Sequence, residues 1–202
     1  MKQFDILVVG GGHAGLEAAN IASQFRNVSV GLLTKQGVPI GSTPCNPAIG
    51  GVGKGQLVRE IDLMGGLIGK IADASAIQCR TLNESKGDAV KSTRFQVDKS
   101  IYERYAQRLI VENKRITLVR DEMLSLRRDE ENNNFTIKLA SGDEVSAKKL
   151  IVTVGTFFDG TLHEGDKVTP GGRVNCEKSV SASCIGLDVK LMSRKFKTGT
   201  PP

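Results

Sequence analysis

Two glycine-rich segments carry the residue types that could do chemistry. In Gly10-Gly11-Gly12-His13-Ala14-Gly15 the G-x-G-x-x-G spacing suits a loop that grips the pyrophosphate of a dinucleotide. Gly10 permits the tight turn, Gly12 lets the backbone approach phosphate with no Cβ in the way, and Gly15 lets a helix pack closely on a strand. In Pro44-Cys45-Asn46-Pro47-Ala48-Ile49-Gly50-Gly51-Val52-Gly53-Lys54-Gly55 a cysteine lies between two prolines, ahead of a lysine and of a helix starting at residues 56–61. A thiol near a helix N-terminus and an ammonium group gains thiolate character, the condition for nucleophilic or redox work. A small buried side chain is the plainer reading of an isolated cysteine. The same loop fails the triphosphate-binding pattern G-x-x-x-x-G-K-[ST] twice. Ala48 stands where the first glycine belongs and Gly55 replaces the magnesium-binding hydroxyl, which argues against an NTPase.

The elements that must position these residues follow from hydrophobic pattern. Residues 4–9 are nearly all apolar, as in a parallel strand covered on both faces. Residues 16–22 predict a helix whose packed face is Ala18, Ile21 and Ala22, and its unpaired N–H groups and positive dipole end would face the phosphates. Residues 28–33 predict the second strand. The acid that usually holds the ribose is then expected at Thr34 or Lys35, and neither is acidic, which leaves a hydroxyl or a backbone group for that task.

Farther on, Val97, Ile101, Tyr105 and Leu109 recur every four residues and predict an amphipathic helix lying on the sheet. Residues 118–126 and 135–139 flank the polar connection Asp129-Glu130-Glu131-Asn132-Asn133-Asn134, and residues 140–143 make a second turn. This predicts a small antiparallel hairpin layer over about residues 116–148. Residues 149–156 predict another buried strand that ends in Gly155-Thr156. In two-dinucleotide flavoproteins such a strand returns to the first sheet with its Gly-Thr end beside the cofactor. The expected fold class is therefore α/β, a Rossmann-like FAD/NAD(P)-binding domain with three layers about a parallel sheet and a small antiparallel β layer.

Composition narrows the field. The chain has 202 residues, room for one α/β domain or for part of something larger, and a net charge of +6 that favours a polyanionic partner. No apolar run approaches the roughly 18 to 20 residues of a membrane span, and the first strand begins almost at Met1, so a cytoplasmic protein with no membrane partner is expected. Cys45, Cys79, Cys176 and Cys184 are scattered without a C-x-x-C pair, which suggests neither a zinc site nor a disulfide framework. Basic residues concentrate at Arg80, Lys86, Lys91, Arg94, Lys99, Arg104 and Arg108, and again at Lys190, Arg194, Lys195 and Lys197. Either cluster could contact phosphates or simply form a solvated face.

Several unusual blocks occur together and in order: residues 5–15, residues 45–55, Ser85-Lys86-Gly87, Thr153-Val154-Gly155-Thr156-Phe157-Phe158-Asp159-Gly160, Gly171-Gly172-Arg173 and Lys197-Thr198-Gly199-Thr200-Pro201-Pro202. Through them the whole chain resembles the N-terminal part of the GidA/MnmG family, flavoenzymes of tRNA wobble-uridine modification. The resemblance implies tightly bound FAD, NADH as reductant, methylenetetrahydrofolate as carbon donor, tRNA as substrate, an MnmE-type GTPase partner and a homodimer. The product would carry a 5-carboxymethylaminomethyl or aminomethyl group on C5 of the wobble uridine. It also implies FAD contacts at Gly10, Gly11, Gly12, His13, Ala14, Gly15, Met123, Gly155, Thr156 and Ser179, with His13 a loop residue beside the cofactor and Cys45 the cysteine near the flavin.

The chain departs from the family pattern at Asp88, commonly proline, and at residues 175–178, ahead of Ser179. Residues 1–202 would be the N-terminal portion of the FAD-binding domain, an incomplete one, without the family's NAD-binding insertion and helical C-terminal domain. The alternative is a truncated, non-catalytic FAD- or RNA-binding module. A general flavin disulfide reductase is disfavoured by the missing C-x-x-C.

Overall fold

The computed structural model describes residues 1–43, 47–155 and 160–171, with the backbone of residues 185–186. The elements in chain order are β1 (Lys2–Val9), α1 (His13–Ala22), β2 (Val30–Thr34), β3 (Ala48–Gly50), α2 (Lys54–Leu63), α3 (Ile68–Ser75), β4 (Ala76–Leu82), β5 (Ser92–Val97), α4 (Lys99–Glu112), β6 (Ile116–Arg120), β7 (Met123–Asp129), β8 (Asn134–Leu139), β9 (Glu144–Val152), β10 (Thr161–Glu164), β11 (Lys167–Pro170) and β12 (Ile185–Gly186).

The main sheet runs β12-β7-β8-β9-β1-β2-β6. Strands β9, β1, β2 and β6 are mutually parallel, with Val8 opposite both Leu32 and Ile151. A smaller antiparallel sheet has the order β3-β5-β4, and β10 and β11 form a hairpin. The mixed α/β class and the mostly parallel main sheet are those expected from the sequence.

Strand alternation divides the interior into two cores. Val8 and Leu32 face α1, α3 and α4, where they meet Leu16, Ala19, Ile71, Tyr102, Ala106 and Ile110. Leu7, Val9 and Leu33 face the other way, against Met123, Leu126, Ile137, Leu139 and Val145 of the β7–β9 meander. Helices on one side and a meander on the other explain why β1 and β2 read as continuous apolar runs, since a strand covered on both faces has no polar side. Residues 116–148 are split accordingly: β6 pairs with β2 at the far edge of the parallel strands, and the antiparallel layer begins at β7. Strand β9 serves both arrangements, pairing antiparallel with β8 through residues 144–147 and parallel with β1 through residues 145–152.

Two helix faces differ from expectation. In α1 the buried residues are Gly15, Leu16, Ala19 and Ala22, while Ile21 is exposed. The face in contact with the sheet is the one that carries Gly15, which lies against the Gly10 carbonyl, and that rotation turns Ile21 outward. In α4 the buried stripe is Tyr102, Ala106 and Ile110, one residue on from the predicted Ile101, Tyr105 and Leu109. Val97, which set the predicted register, belongs to β5. The helix starts afresh at an Asp98 cap whose carboxylate accepts the Ile101 N–H at 2.9 Å.

Candidate functional site

The turn after β1 is held from three sides. Gly10 N–H donates to the Leu33 carbonyl (2.8 Å), and Gly41 N–H donates to the Gly11 carbonyl (2.8 Å). Thr153 donates its N–H to the Val9 carbonyl (2.7 Å), and its hydroxyl reaches the carbonyls of Val9 (2.9 Å) and Gly10 (3.1 Å). At Gly10 φ is +111°, and a Cβ there would overlap the Thr153 carbonyl. A Cβ on Gly15 would overlap the Gly10 carbonyl, so α1 can lie this close to β1 only with glycine at that position. Gly12 is the opposite case: among the described residues a Cβ there would meet nothing within 4 Å.

Gly12 is the N-cap of α1. Among the described residues no side chain caps that end, and its first turn holds no acid, although Leu16 N–H returns to the Gly12 carbonyl at 2.9 Å. The N–H groups ahead of Leu16 have no partner within the helix, and the helix dipole adds positive potential there. Open ground before Gly12 plus bare N–H groups fits an anionic phosphate group.

His13 lies half-buried at the first position of α1, its ring centroid 5.5 Å from that of Tyr102. Burial holds its imidazole below the ordinary value, so the ring is neutral at neutral pH. Tyr102 is fully buried; burial, and then the charge of Glu17, push its phenol up, so it keeps its proton. Glu17 itself accepts N–H groups of Leu67 (2.8 Å) and Ile68 (2.6 Å), capping α3 from α1. Sequence reasoning missed this brace, because the helix it caps lies far downstream and offers no capping residue of its own.

Beyond the turn, β2 ends in buried Thr34, followed by Lys35. Asp121 N–H donates to the Thr34 carbonyl (3.0 Å), and Glu122 Oε2 lies 3.2 Å from Lys35 Nζ. An acid thus stands at the end of β2, brought there by the segment after β6. Met123 follows directly, its side chain buried in the second core. Gly155, with φ +76°, lies two residues past the Thr153 that braces the turn.

The cysteine loop is anchored on both sides. On the near side, Glu103 accepts the Ser42 hydroxyl (3.2 Å) and the Thr43 N–H (3.4 Å), and Gly41 is tied to Gly11. On the far side, Val97 N–H donates to the Pro47 carbonyl (2.8 Å). Gly50, Gly51 and Gly53 have positive φ values of 92°, 103° and 73°, and the Gly51 carbonyl accepts the N–H groups of Lys54 (3.0 Å) and Gly55 (2.7 Å) as α2 begins. The residues therefore start a helix two positions earlier than the pattern predicts. Cys45, Thr156 and Ser179 lie outside the described residues, as do residues 190–197.

The first basic cluster is spread over β4, the segment after it, β5 and α4, with Arg94 on β5 and Lys99 at the start of α4 only half-exposed. Arg80, Lys86 and Lys91 are exposed on or beside β4, with Lys91 paired to Asp88 at 2.6 Å, where the family commonly has proline. Arg104 and Arg108 are exposed on α4, and Arg108 lies 4.8 Å above the Tyr105 ring centroid and 3.7 Å from Glu112. Among the described residues no helix is long and apolar enough to cross a membrane.

Comparison with known proteins gives a consistent answer. Residues 5–202 match the family model described as glucose inhibited division protein A, GidA. The tRNA uridine 5-carboxymethylaminomethyl modification enzyme MnmG of Thermus thermophilus is 42% identical over 205 residues, which is 100% of this chain and 33% of that protein. The enzyme of the same name from Wolinella succinogenes is 42% identical over 99% of this chain and 32% of its own length. The solved structure of Aquifex aeolicus GidA superposes with a TM-score of 0.82 at 38% identity, covering 90% of this chain and 30% of that one. The p-nitrophenol 4-monooxygenase PnpA of Pseudomonas putida, 16% identical with a TM-score of 0.56, shares the fold alone.

Proposed function

We infer the function from one premise: this chain belongs to the GidA family. It is homologous to tRNA-modifying MnmG enzymes and spans about a third of the length of those it matches. The proposal is that it is the FAD-binding N-terminal portion of a tRNA wobble-uridine modifying enzyme. The observation that carries it is the α1 N-terminus, where Gly10 and Gly15 are sterically closed and Gly12 is open before uncapped N–H groups. That arrangement grips a pyrophosphate and does not need a catalytic side chain.

In this reading Gly10, Gly11, Gly12, His13, Ala14 and Gly15 hold the pyrophosphate of FAD, and the Met123 backbone, Gly155, Thr156 and Ser179 contribute further contacts. Bound there, FAD supplies the hydride and one-carbon redox chemistry, with NADH as reductant and methylenetetrahydrofolate as carbon donor. The protein positions and shields. Neutral His13 adds no charge that would compete with the N–H groups for the phosphates, and the Thr153 and Gly41 hydrogen bonds keep the turn in the geometry that receives them.

Cys45 would act on the tRNA base. Its thiolate would add to C6 of the uracil ring and make C5 enolate-like, able to attack an electrophilic one-carbon unit; loss of the C5 proton would then expel the thiolate from C6 and restore the 5,6 double bond. The Gly41 bond ties the near end of its loop to the turn, while Glu103 of α4 and Val97 of β5 fix Ser42 and Thr43 on one side and Pro47 on the other. Exposed Arg80, Lys86, Arg104 and Arg108 are suited to tRNA phosphates. An MnmE-type GTPase and a second copy complete the assembly. Cys45→Ser in the full-length protein is expected to keep its flavin while nucleoside mass spectrometry shows loss of the modified wobble uridine. Full modification by that variant would remove the thiolate step.

A further inference from the structure

We propose that Glu122, held by Lys35, receives the 2′-hydroxyl of the adenosine ribose, in place of the acid that β2 lacks. This rests on the flavin reading above. In doubly wound folds that acid stands just past the second strand. Here those positions are Thr34, whose side chain is buried where a Cβ on Gly11 would meet its hydroxyl, and Lys35, a cation.

The topology brings a carboxylate to the same place. β6 is the parallel neighbour of β2, with Arg120 opposite Thr34, so the chain leaving β6 crosses the end of β2 where ligands of open α/β sheets bind. The Asp121 N–H bond to the Thr34 carbonyl fixes the crossing at 3.0 Å. The next residue places Glu122 Oε2 3.2 Å from Lys35 Nζ, and both side chains are partly open to solvent, 24% and 33% exposed. Of the two adjacent acids Asp121 is turned back on its own loop, accepting the Glu122 N–H at 2.7 Å. Glu122 is the one whose carboxylate reaches Lys35 at the end of β2. A carboxylate accepts at two oxygens, so one ammonium partner leaves capacity for a sugar hydroxyl. Lys35 also offsets the negative charge that Glu122 would otherwise set near a pyrophosphate.

The test uses the full-length protein, stripped of flavin and titrated with FAD and with an FAD analogue lacking the adenosine 2′-hydroxyl, followed by flavin fluorescence. The wild type is expected to prefer FAD by about tenfold or more, the usual scale of a hydrogen bond to a charged acceptor. Glu122→Ala is expected to bind both flavins equally, and the isosteric Glu122→Gln to keep only part of the preference. Lys35→Ala leaves the carboxylate in place and keeps a preference. A wild type that does not discriminate, or a Glu122→Ala variant that discriminates as well as the wild type, overturns the assignment. A wild type that takes up neither flavin overturns the flavin reading itself, and this inference with it.

Discussion

The Gly10–Gly15 turn and the three-stranded sheet β3-β5-β4 differ sharply in how this chain supports them. The turn is fastened to β2, to Thr153 after β9 and to Gly41, with a packed core on each side of the strand that leads into it. In β4, by contrast, residues 76–81 are all exposed, Ile77 is 68% exposed, and the strand pairs on one edge only among the described residues. The half that carries the Gly10–Gly15 turn thus takes its geometry from contacts within the chain. The half that carries the cysteine loop presents apolar surface and a free strand edge, the features of a region with low local stability that other polypeptide can cover.

Substitutions on the two sides should separate this contrast. The largest effect is expected from Gly15→Ala, which drives a methyl into the Gly10 carbonyl; it should cost about 3 kcal/mol in denaturant unfolding and abolish flavin uptake as α1 is pushed from the sheet. Glu17→Ala strips the cap from the Leu67 and Ile68 N–H groups and should cost about 1 kcal/mol.

A smaller, pH-dependent effect belongs to Asp5. Hydrogen bonds from Lys148 (2.7 Å) and then Ser29 hold its carboxyl below the usual carboxylate range. A carboxyl depressed in the folded state stabilises fully above its unfolded pKa of about 4 and loses that contribution as pH falls through the folded value. The stability gap between wild type and Asp5→Asn should therefore be constant near neutrality and narrow below about pH 4, which unfolding curves on the acid side would show. Ile77→Thr on β4 should change stability by less than about 0.5 kcal/mol. A large loss there would mean that β4 is braced after all, and the contrast would fail.

Much of the first region is legible in the sequence because its signals are local. An apolar strand, glycines at fixed spacing and an alanine-rich helix each follow from steric rules acting within a few residues. The packed faces of α1 and α4 were less so. Periodicity alone cannot tell that Ile21 points outward once Gly15 is pressed to the strand, or that Val97 belongs to the preceding strand. The hairpin signals around residues 129–134 and 140–143 marked the meander. They could not show that the last strand of the meander and the buried strand expected at residues 149–156 are one element, β9. Its residues 145–147 pair with β8 on one edge and β1 on the other, and it ends at Val152 with Ile151 and Val152 exposed. Glu17, Glu103 and Glu122 escaped notice for a common reason: each acts on a partner distant in sequence, and nothing in its neighbours marks it.

The central claim is that the ground before Gly12 is left clear for a pyrophosphate, and Gly12→Ala tests it most directly. The added methyl meets nothing within 4 Å among the described residues and φ is −72°, so the full-length variant should fold with a stability within about 1 kcal/mol of the wild type. Flavin absorbance of the purified protein should nonetheless fall well below the one-per-chain level expected of the wild type. A folded Gly12→Ala protein that keeps its full complement of flavin would contradict the account.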